Sequence, residues 1–528
     1  MSNANDRILS IVTSNLGEDN IVVESLKPNT LAFRIKPKQL IKTIETMLTI
    51  DDATTLSAIS CVDLDDRFEI LYHLRTLGTI ATARCEIPSK KPKIHSITSL
   101  IPGANFHERE TADFFGVKFE GHPYPERLMV PEAWPQNLFP LRKNAENPSP
   151  DTRFSKVSAE PEVTGNRGVV TTKIVIGPQH PALLEPERFL VDVDGETVTK
   201  VTPRIGYCHR GVEKATESRN YIKDVFLVER ICGICNSCHS TTFCQAVETI
   251  LDTDVPARGK YLRTIVLELN RIQSHLLLIG HAGHEIGYDT LFQYVWRDRE
   301  IVMGLIELIT GNRVITSFLT IGGVRRDINE NKTPKIIDGL SKLRERALFY
   351  QRLLDEDLTL KMRLRDVGVL RREDAVALAA VGPVARASGI KTDVRAEAPY
   401  AAYDEVGYKL IYRNEGDSWA RLRVRADELE NSIDMVEYAV SNLPKGDIKV
   451  RVPRRVPEGE AINRVEAPRG ELFYYVKGNG TQFPERVKIR TPTFTNFQSV
   501  PKITEGENIA DFPAAFSSID PCFSCTDR

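Results

Sequence analysis

Apolar positions recur along the chain with two periods, and the change from one to the other divides the sequence. Residues 31–35, 57–63, 68–74 and 80–87 alternate or run apolar, the spacing of strands that bury one face or both. Residues 37–50 carry apolar side chains at helical spacing. Together these predict a small α/β domain over residues 1–143. A strand is expected at 169–176, and 177–198 (GPQHPALLEPERFLVDVDGETV) turns and returns as an alternating strand pair. Beyond it the period becomes helical. Leu262, Ile265, Val266, Leu269, Ile272, Leu276 and Ile279 share one face, and Ile301, Leu305, Leu308 and Ile309 share another. Residues 341–358 and 427–442 read as two more helices. The fold class is therefore α+β multidomain: a small α/β N-terminal domain, then a mainly helical domain with small sheets over 168–528. Residues 144–167, polar and containing Pro148, Pro150 and Pro161, read as a linker.

Composition changes this picture little. The chain of 528 residues, 41% hydrophobic and 27% charged, exceeds one typical domain and is ordinary for a globular protein. A formal net charge of -2, without a long basic block, leaves no electrostatic footprint for nucleic acid. The longest apolar runs, such as 276–279 and 375–381, fall short of the roughly 18 residues that span a bilayer. The opening MSNANDRILS lacks a basic segment followed by an apolar one. The expectation is a cytoplasmic chain whose membrane attachment comes through partners.

Nine cysteines are too sparse for a disulfide scaffold. Cys61 and Cys85 fall in strand-like runs and read as core, while Cys208, Cys238 and Cys244 lack CxxC partners and read as packing. The other four form two CxxC pairs. Cys232 and Cys235 lie in ERICGICNSCH (229–239), where His239 follows closely; Cys522 and Cys525 lie in DPCFSC (520–525). Each pair can present two thiolates to one soft or borderline ion, so a fold that joins them makes a four-thiolate site. Structural zinc is the simplest occupant. Zinc ribbons, however, usually draw their pairs from neighbouring loops, and a domain of this size needs no such staple.

The flanking residues carry a resemblance. RICGIC with His239, DPCFSC ending at Arg528, GPQHP at 177–181 and EAPRG at 466–470 together resemble the large subunit of NiFe hydrogenases. More narrowly they are similar to the membrane-bound, complex-I-related group, of the formate hydrogenlyase type. The stretch HERETADFFGVKFEGHPYPERLMVPEAWPQNLFPLRK (107–143) resembles the complex I 30-kDa subunit, a docking domain without a cofactor. The likeness covers nearly the whole chain. It implies nickel held by Cys232, Cys235, Cys522 and Cys525, with Cys235 and Cys525 bridging to an iron that carries two cyanides and one carbon monoxide. It implies that Cys522, a terminal thiolate, is the first proton acceptor and that Glu185 relays the proton, with Glu187 the competitor. Arg469 would face the metals and pair with Asp520, Thr493 would hydrogen-bond a cyanide, and His239 would orient a bridging thiolate. Glu285 lies loosely near the corresponding acidic position. Arg528 stands where respiratory uptake enzymes carry a magnesium-holding His, which implies no such magnesium.

The resemblance also implies partners: a small subunit with a proximal 4Fe–4S cluster, complex-I-like and antiporter-like membrane subunits, and nickel-insertion maturation proteins. Electrons would come from that small subunit, since no cysteine set remains for an iron–sulfur cluster here. The expected activity is reversible formation of H2 from protons and electrons at the inner face of a membrane. Two other readings stay open: a quinone-reducing complex I subunit, which has no use for the cysteine pairs, and a zinc-stabilised scaffold.

Overall fold

Where the N-terminal sequence alternates, strands form. The computed structural model describes residues 2–27, 29–131, 133–146, 172–181 and 183–528; residues 147–167 of the expected linker and the first three of the expected 169–176 strand lie outside them. Strands Thr55–Asp63, Arg67–Thr76 and Thr79–Pro88 follow one another antiparallel. Thr30–Ile35 joins Thr79–Pro88 in parallel, and Ile21–Lys27 forms the edge beyond it. Helices Ser2–Leu16 and Leu40–Leu48 cover the sheet, burying Ile8, Val12, Ile44 and Met47 against it. The expected 37–50 helix is divided, because Pro37 opens a 3-10 turn, Pro37–Gln39, before the α-helix begins.

The first 143 residues do not stand apart. Ala58, Val62, Leu71 and Ile80 pack with Phe473 and Tyr475 from the far end of the chain. Those two aromatics belong to an antiparallel sheet, Gly459–Ala467, Gly470–Gly478 and Pro484–Arg490, which apolar periodicity does not announce. The reason is burial on both faces: the sheet lies between helix Asn236–Ile250 and the N-terminal sheet, so its middle strand is buried along nearly all its length and shows no alternation.

Four long helices, Ala257–Glu285, Asp289–Thr310, Thr333–Glu356 and Ser418–Ser441, pack against one another as the expected bundle. The last begins nine residues before the expected 427–442 segment. Its first turns bury Arg421 and Arg425 at positions that a core-facing helix normally fills with apolar residues. Burying charge is costly unless it is paired or hydrogen-bonded: Arg421 donates to the Gly416 and Gly368 carbonyls at 2.8 and 2.6 Å, Arg425 Nε lies 3.9 Å from Asp520 Oδ2, and the arginines around them are ion-paired. Arg386 reaches Glu428 and Glu466, each at 2.7 Å, Arg395 reaches Asp393 at 2.8 Å, and Arg271 reaches Glu268 at 3.1 Å. Arg271 also donates to the Glu466 and Ala467 carbonyls at 2.6 and 3.2 Å, fixing the EAPRG turn to the bundle.

The expected strand pair is present as Arg188–Asp194 and Thr197–Arg204, with Thr172–Ile176 added to it. No helix among the described residues is long and apolar enough to cross a membrane.

Candidate metal centre

Two chain turns meet in the interior. Cys235 is the N-cap of helix Asn236–Ile250, and Cys522 is the N-cap of helix Phe523–Asp527. Cys232 Sγ lies 3.6 Å from Cys522 Sγ, and Cys235 Sγ lies 3.5 Å from Cys525 Sγ. Sulfurs bonded at about 2.3 Å to one tetrahedral ion stand roughly 3.8 Å apart, so each of these two contacts has the spacing of two ligands on a shared metal. All four residues are buried. Hydrogen bonds from Cys235, Cys522 and Cys525 hold the Cys232 thiol well below its ordinary value, and the same contact holds the other three well above theirs. Repulsion among four buried thiolates calls for a cation.

The two pairs are held differently. Around the first, Ile234 N–H donates to Cys232 Sγ at 3.3 Å, and Gln273 Nε2 donates to the Ile234 carbonyl at 2.6 Å. Asn236 Nδ2 donates to the Gly233 and Val314 carbonyls at 3.0 and 2.7 Å. Glu229 accepts from Ser317 N–H at 2.6 Å and from Thr316 Oγ1 at 3.1 Å, so the 316–317 turn is locked against the motif.

Around the second pair, Cys522 N–H donates to Thr493 Oγ1 at 3.3 Å. Glu185 accepts from Phe523 and Ser524 N–H and from Ser524 Oγ. The GPQHP turn presents that carboxylate; a Cβ on Gly177 would lie 1.7 Å from the Glu187 carbonyl oxygen, so only glycine permits the fold-back. Of the two glutamates, Glu185 is the one that reaches the Cys522 helix. Glu187 is buried, its Oε1 accepts from Arg188 N–H at 3.3 Å, and burial pushes its carboxyl well above the usual range. Asp527 accepts from Gly206 and Cys208 N–H at 3.0 and 2.7 Å.

Beside the sulfurs, Arg469 Nη2 lies 2.8 Å from Asp520 Oδ1, Nε donates to the Asp520 carbonyl at 2.9 Å, and Nη1 lies 3.4 Å from Ser274 Oγ. Burial alone would lower the Arg469 pKa, but Asp520 and the Cys522, Cys232 and Cys235 sulfurs outweigh it and hold the guanidinium charged. His239 Nε2 lies 3.6 Å from Cys525 Sγ, and its Nδ1 lies 2.7 Å from Tyr474 Oη. The expected residues Cys232, Cys235, Cys522, Cys525, His239, Arg469, Asp520, Thr493 and Glu185 therefore gather at one place. Glu285 instead pairs with His281 at 3.5 Å. The Arg528 guanidinium is buried and pairs with Glu110 and with Glu213, the latter at 3.1 Å. Ser274, Tyr474, Glu229 and Asn236 escaped sequence reasoning: each is a common residue inside a helix or strand pattern, and only the fold aims it at the motif. Asn236, directly after Cys235, is the one whose adjacency could have drawn notice.

Such a thiol cluster beside an arginine, built into a helical bundle, belongs with the oxidoreductase subunits that the sequence is similar to. The sequence matches three families: the respiratory-chain NADH dehydrogenase 49 Kd subunit over residues 285–455 and 450–528, its 30 Kd subunit over 33–150, and nickel-dependent hydrogenase over 210–282. The membrane-bound hydrogenase subunit alpha of Pyrococcus furiosus is 44% identical over 67% of this chain and 87% of that protein. Formate hydrogenlyase subunit 5 of Escherichia coli is 34% identical over 85% of this chain and 79% of its own length. The solved membrane-bound sulfane sulfur reductase, an archaeal respiratory membrane complex, has a chain 33% identical with a TM-score of 0.65, covering 68% of this chain and 98% of that one. The chain belongs to the complex-I-related family of NiFe-hydrogenase large subunits, with 30-kDa-like and 49-kDa-like regions fused.

Proposed function

We propose that this chain is the catalytic large subunit of a membrane-associated NiFe hydrogenase, interconverting H2 with two protons and two electrons. One observation carries the reading: four buried thiols from two distant CxxC pairs converge at metal-binding spacing beneath the Arg469 and Asp520 pair. Cys232, Cys235, Cys522 and Cys525 would hold the nickel and an iron bearing cyanide and carbon monoxide. When bound, that pair supplies the Lewis acidity and electron storage for heterolytic splitting of H2.

The chain's own residues manage the rest. Cys522 Sγ takes the proton, and the Glu185 carboxylate, anchored on the first turn of the Cys522 helix, passes it outward. Arg469, kept charged by Asp520, positions H2 against the open face. His239 would orient the Cys525 sulfur, and Thr493, which accepts from Cys522 N–H, would hydrogen-bond a cyanide.

Among the described residues no other set of Cys, His and carboxylate ligand atoms gathers closely enough to hold a metal. In this reading the four motif cysteines are committed to the metal centre, and electrons arrive through a partner subunit with an iron–sulfur cluster. The region over residues 1–143 docks the chain on complex-I-like and antiporter-like membrane subunits at the inner face, where catalysis is coupled to ion translocation; nickel enters with the help of maturation proteins. A second reading, quinone reduction, is favoured by the two NADH dehydrogenase matches, but it gives the thiol cluster no task. Elemental analysis with an infrared spectrum, on protein purified anaerobically from its own cells, tests the proposal. Nickel, iron and CO and CN stretches are expected. Zinc alone with a silent spectrum would return the chain to a scaffold role.

A further inference from the structure

The N-terminal region reaches the metal centre through one face of one helix. In Asn105–Phe115, Phe106, Glu110 and Phe114 recur every fourth residue and so share a stripe. Phe106 packs edge-on against Phe494 at 5.9 Å, as does the neighbouring His107 at 5.1 Å; Phe494 directly follows Thr493, the acceptor for Cys522 N–H. Glu110 pairs with Arg528 and Lys488. Phe114 stacks on His209 at 5.2 Å, and His209 Nδ1 lies 2.8 Å from the Asp527 carbonyl oxygen. All three contacts end on residues that border the turn carrying Cys522 and Cys525. Other positions of the helix serve its own domain: Glu108 accepts from Ile97 N–H at 2.8 Å, and Asp113 from Leu128 and Met129 N–H at 2.9 and 2.8 Å.

The ionic contact dominates the stripe. Glu110 and Glu213 face Lys488, Arg486 and Arg528, and all five side chains are buried. Without Glu110, three buried cations would face one carboxylate, an arrangement that favours expulsion of one of them. Arg528 is the member attached to the ligand turn, through Arg528 N–H to the Ser524 carbonyl at 3.2 Å and Nη1 to the Thr526 carbonyl at 2.7 Å.

We infer that Glu110 is a positioning residue of the metal centre: through Arg528 the N-terminal domain clamps the helix that presents Cys522 and Cys525, beyond its part in docking. The inference rests on the proposed metal site for its consequence, but the clamp can be read without metal. Amide hydrogen exchange over residues 522–528 of the full-length chain is compared in wild type, Glu110→Gln and Glu397→Gln. The last makes the same change at another contact between the two regions, where Arg75 meets Glu397 at 2.9 Å. Glu110→Gln should speed exchange in that segment by roughly ten- to a hundredfold, the scale of one lost charge-assisted hydrogen bond. Glu397→Gln should leave it within about twofold of wild type. In protein matured in its own cells, Glu110→Gln should also shift or broaden the CO and CN stretches, and Glu397→Gln should not.

Equal acceleration in both variants, or none in Glu110→Gln, overturns the clamp. If wild type shows neither nickel nor CO and CN bands, the proposed function falls while the exchange comparison still decides the clamp. If Glu110→Gln does not accumulate folded, Arg528→Gln opens the same contact from the other side and is read by the same exchange.

Discussion

The two cysteine pairs look alike in sequence and are built on opposite principles. Cys232 and Cys235 are steadied by amide, hydroxyl and carboxyl hydrogen bonds and by a helix, Tyr221–Glu229, that leads directly into them. Its Asp224 and Glu229 are buried, and burial pushes both carboxyls up, Asp224 to about 8. Cys522 and Cys525 are held by carboxyl groups and a guanidinium: Glu185, Glu110 and Glu213 come from far away in sequence, and Asp527 and Arg528 directly follow the pair. Burial acts to raise Glu213, but Lys488, Arg486 and Arg528 outweigh it and hold its carboxyl well below the usual range. One half of the site is thus held by hydrogen bonds from residues 229–317, and the other by contacts that reach back to residues 110, 185 and 213.

The comparison breaks first where the halves are equivalent. Changing any one of the four cysteines to serine replaces a soft ligand with a poor one, and each variant should lose nickel completely by elemental analysis. A variant of one pair that kept its nickel would show that the pairs do not share one site. The next largest effect separates them. Glu185 touches only the second pair's helix, so Glu185→Gln should lower H2 turnover by about a hundredfold or more while nickel content and CO and CN stretches stay as in wild type. Loss of metal in that variant would recast Glu185 as a structural cap.

Protons sharpen the contrast further, because the two supports respond to pH with opposite sign. Asp224 has its folded pKa raised to about 8, so the stability it gives is full below the unfolded value near 4 and is lost as pH rises through 8. Glu213 is depressed, so its contribution is present above the unfolded value near 4.5 and is lost as pH falls through the folded value. Hydrogen exchange followed against pH should open residues 221–239 on the alkaline side and residues 522–528 on the acid side. Asp224→Asn should abolish the alkaline limb alone; identical pH responses in the two segments would undo the distinction.

That asymmetry also explains what could be read from the sequence. Both CxxC pairs, His239, Arg469 and Asp520 were legible because each lies inside a short motif, and motifs are local. The bundle was legible because Leu262 to Ile279 repeat with the helical period. The sheet carrying Tyr474 was not, since burial on both faces erases the alternation that marks a strand. Nor was the pairing of Glu110 with Arg528, because nothing in the spacing of two charges so far apart says that they will meet. Motif residues of both halves were therefore readable, but the groups that lock them in place, Glu229 and Asn236 at the first pair and Glu110 and Glu213 at the second, were not.

The smallest effect tests the place where the halves touch. His239 belongs to the first pair's helix, yet its Nε2 faces Cys525 of the second. Burial holds its pKa down at about 4, so the ring is neutral near pH 7 and carries one proton. If Cys525 is the metal ligand proposed above, its thiolate has no proton to give, and the ring proton then belongs on Nε2, leaving Nδ1 as the acceptor of the Tyr474 hydroxyl at 2.7 Å. Tyr474 thereby selects the tautomer, as the outer partners of metal-site histidines generally do. Tyr474→Phe removes only the hydroxyl and should cost about 1 kcal/mol, too little to release metal. It should instead move the CO and CN stretches slightly, by altering the electron density on the Cys525 sulfur. In a His239→Gln background the same substitution should move them no further, since the bond it acts through is gone. An undiminished second shift would mean that Tyr474 reaches the site by packing, and that the halves are joined by shape alone.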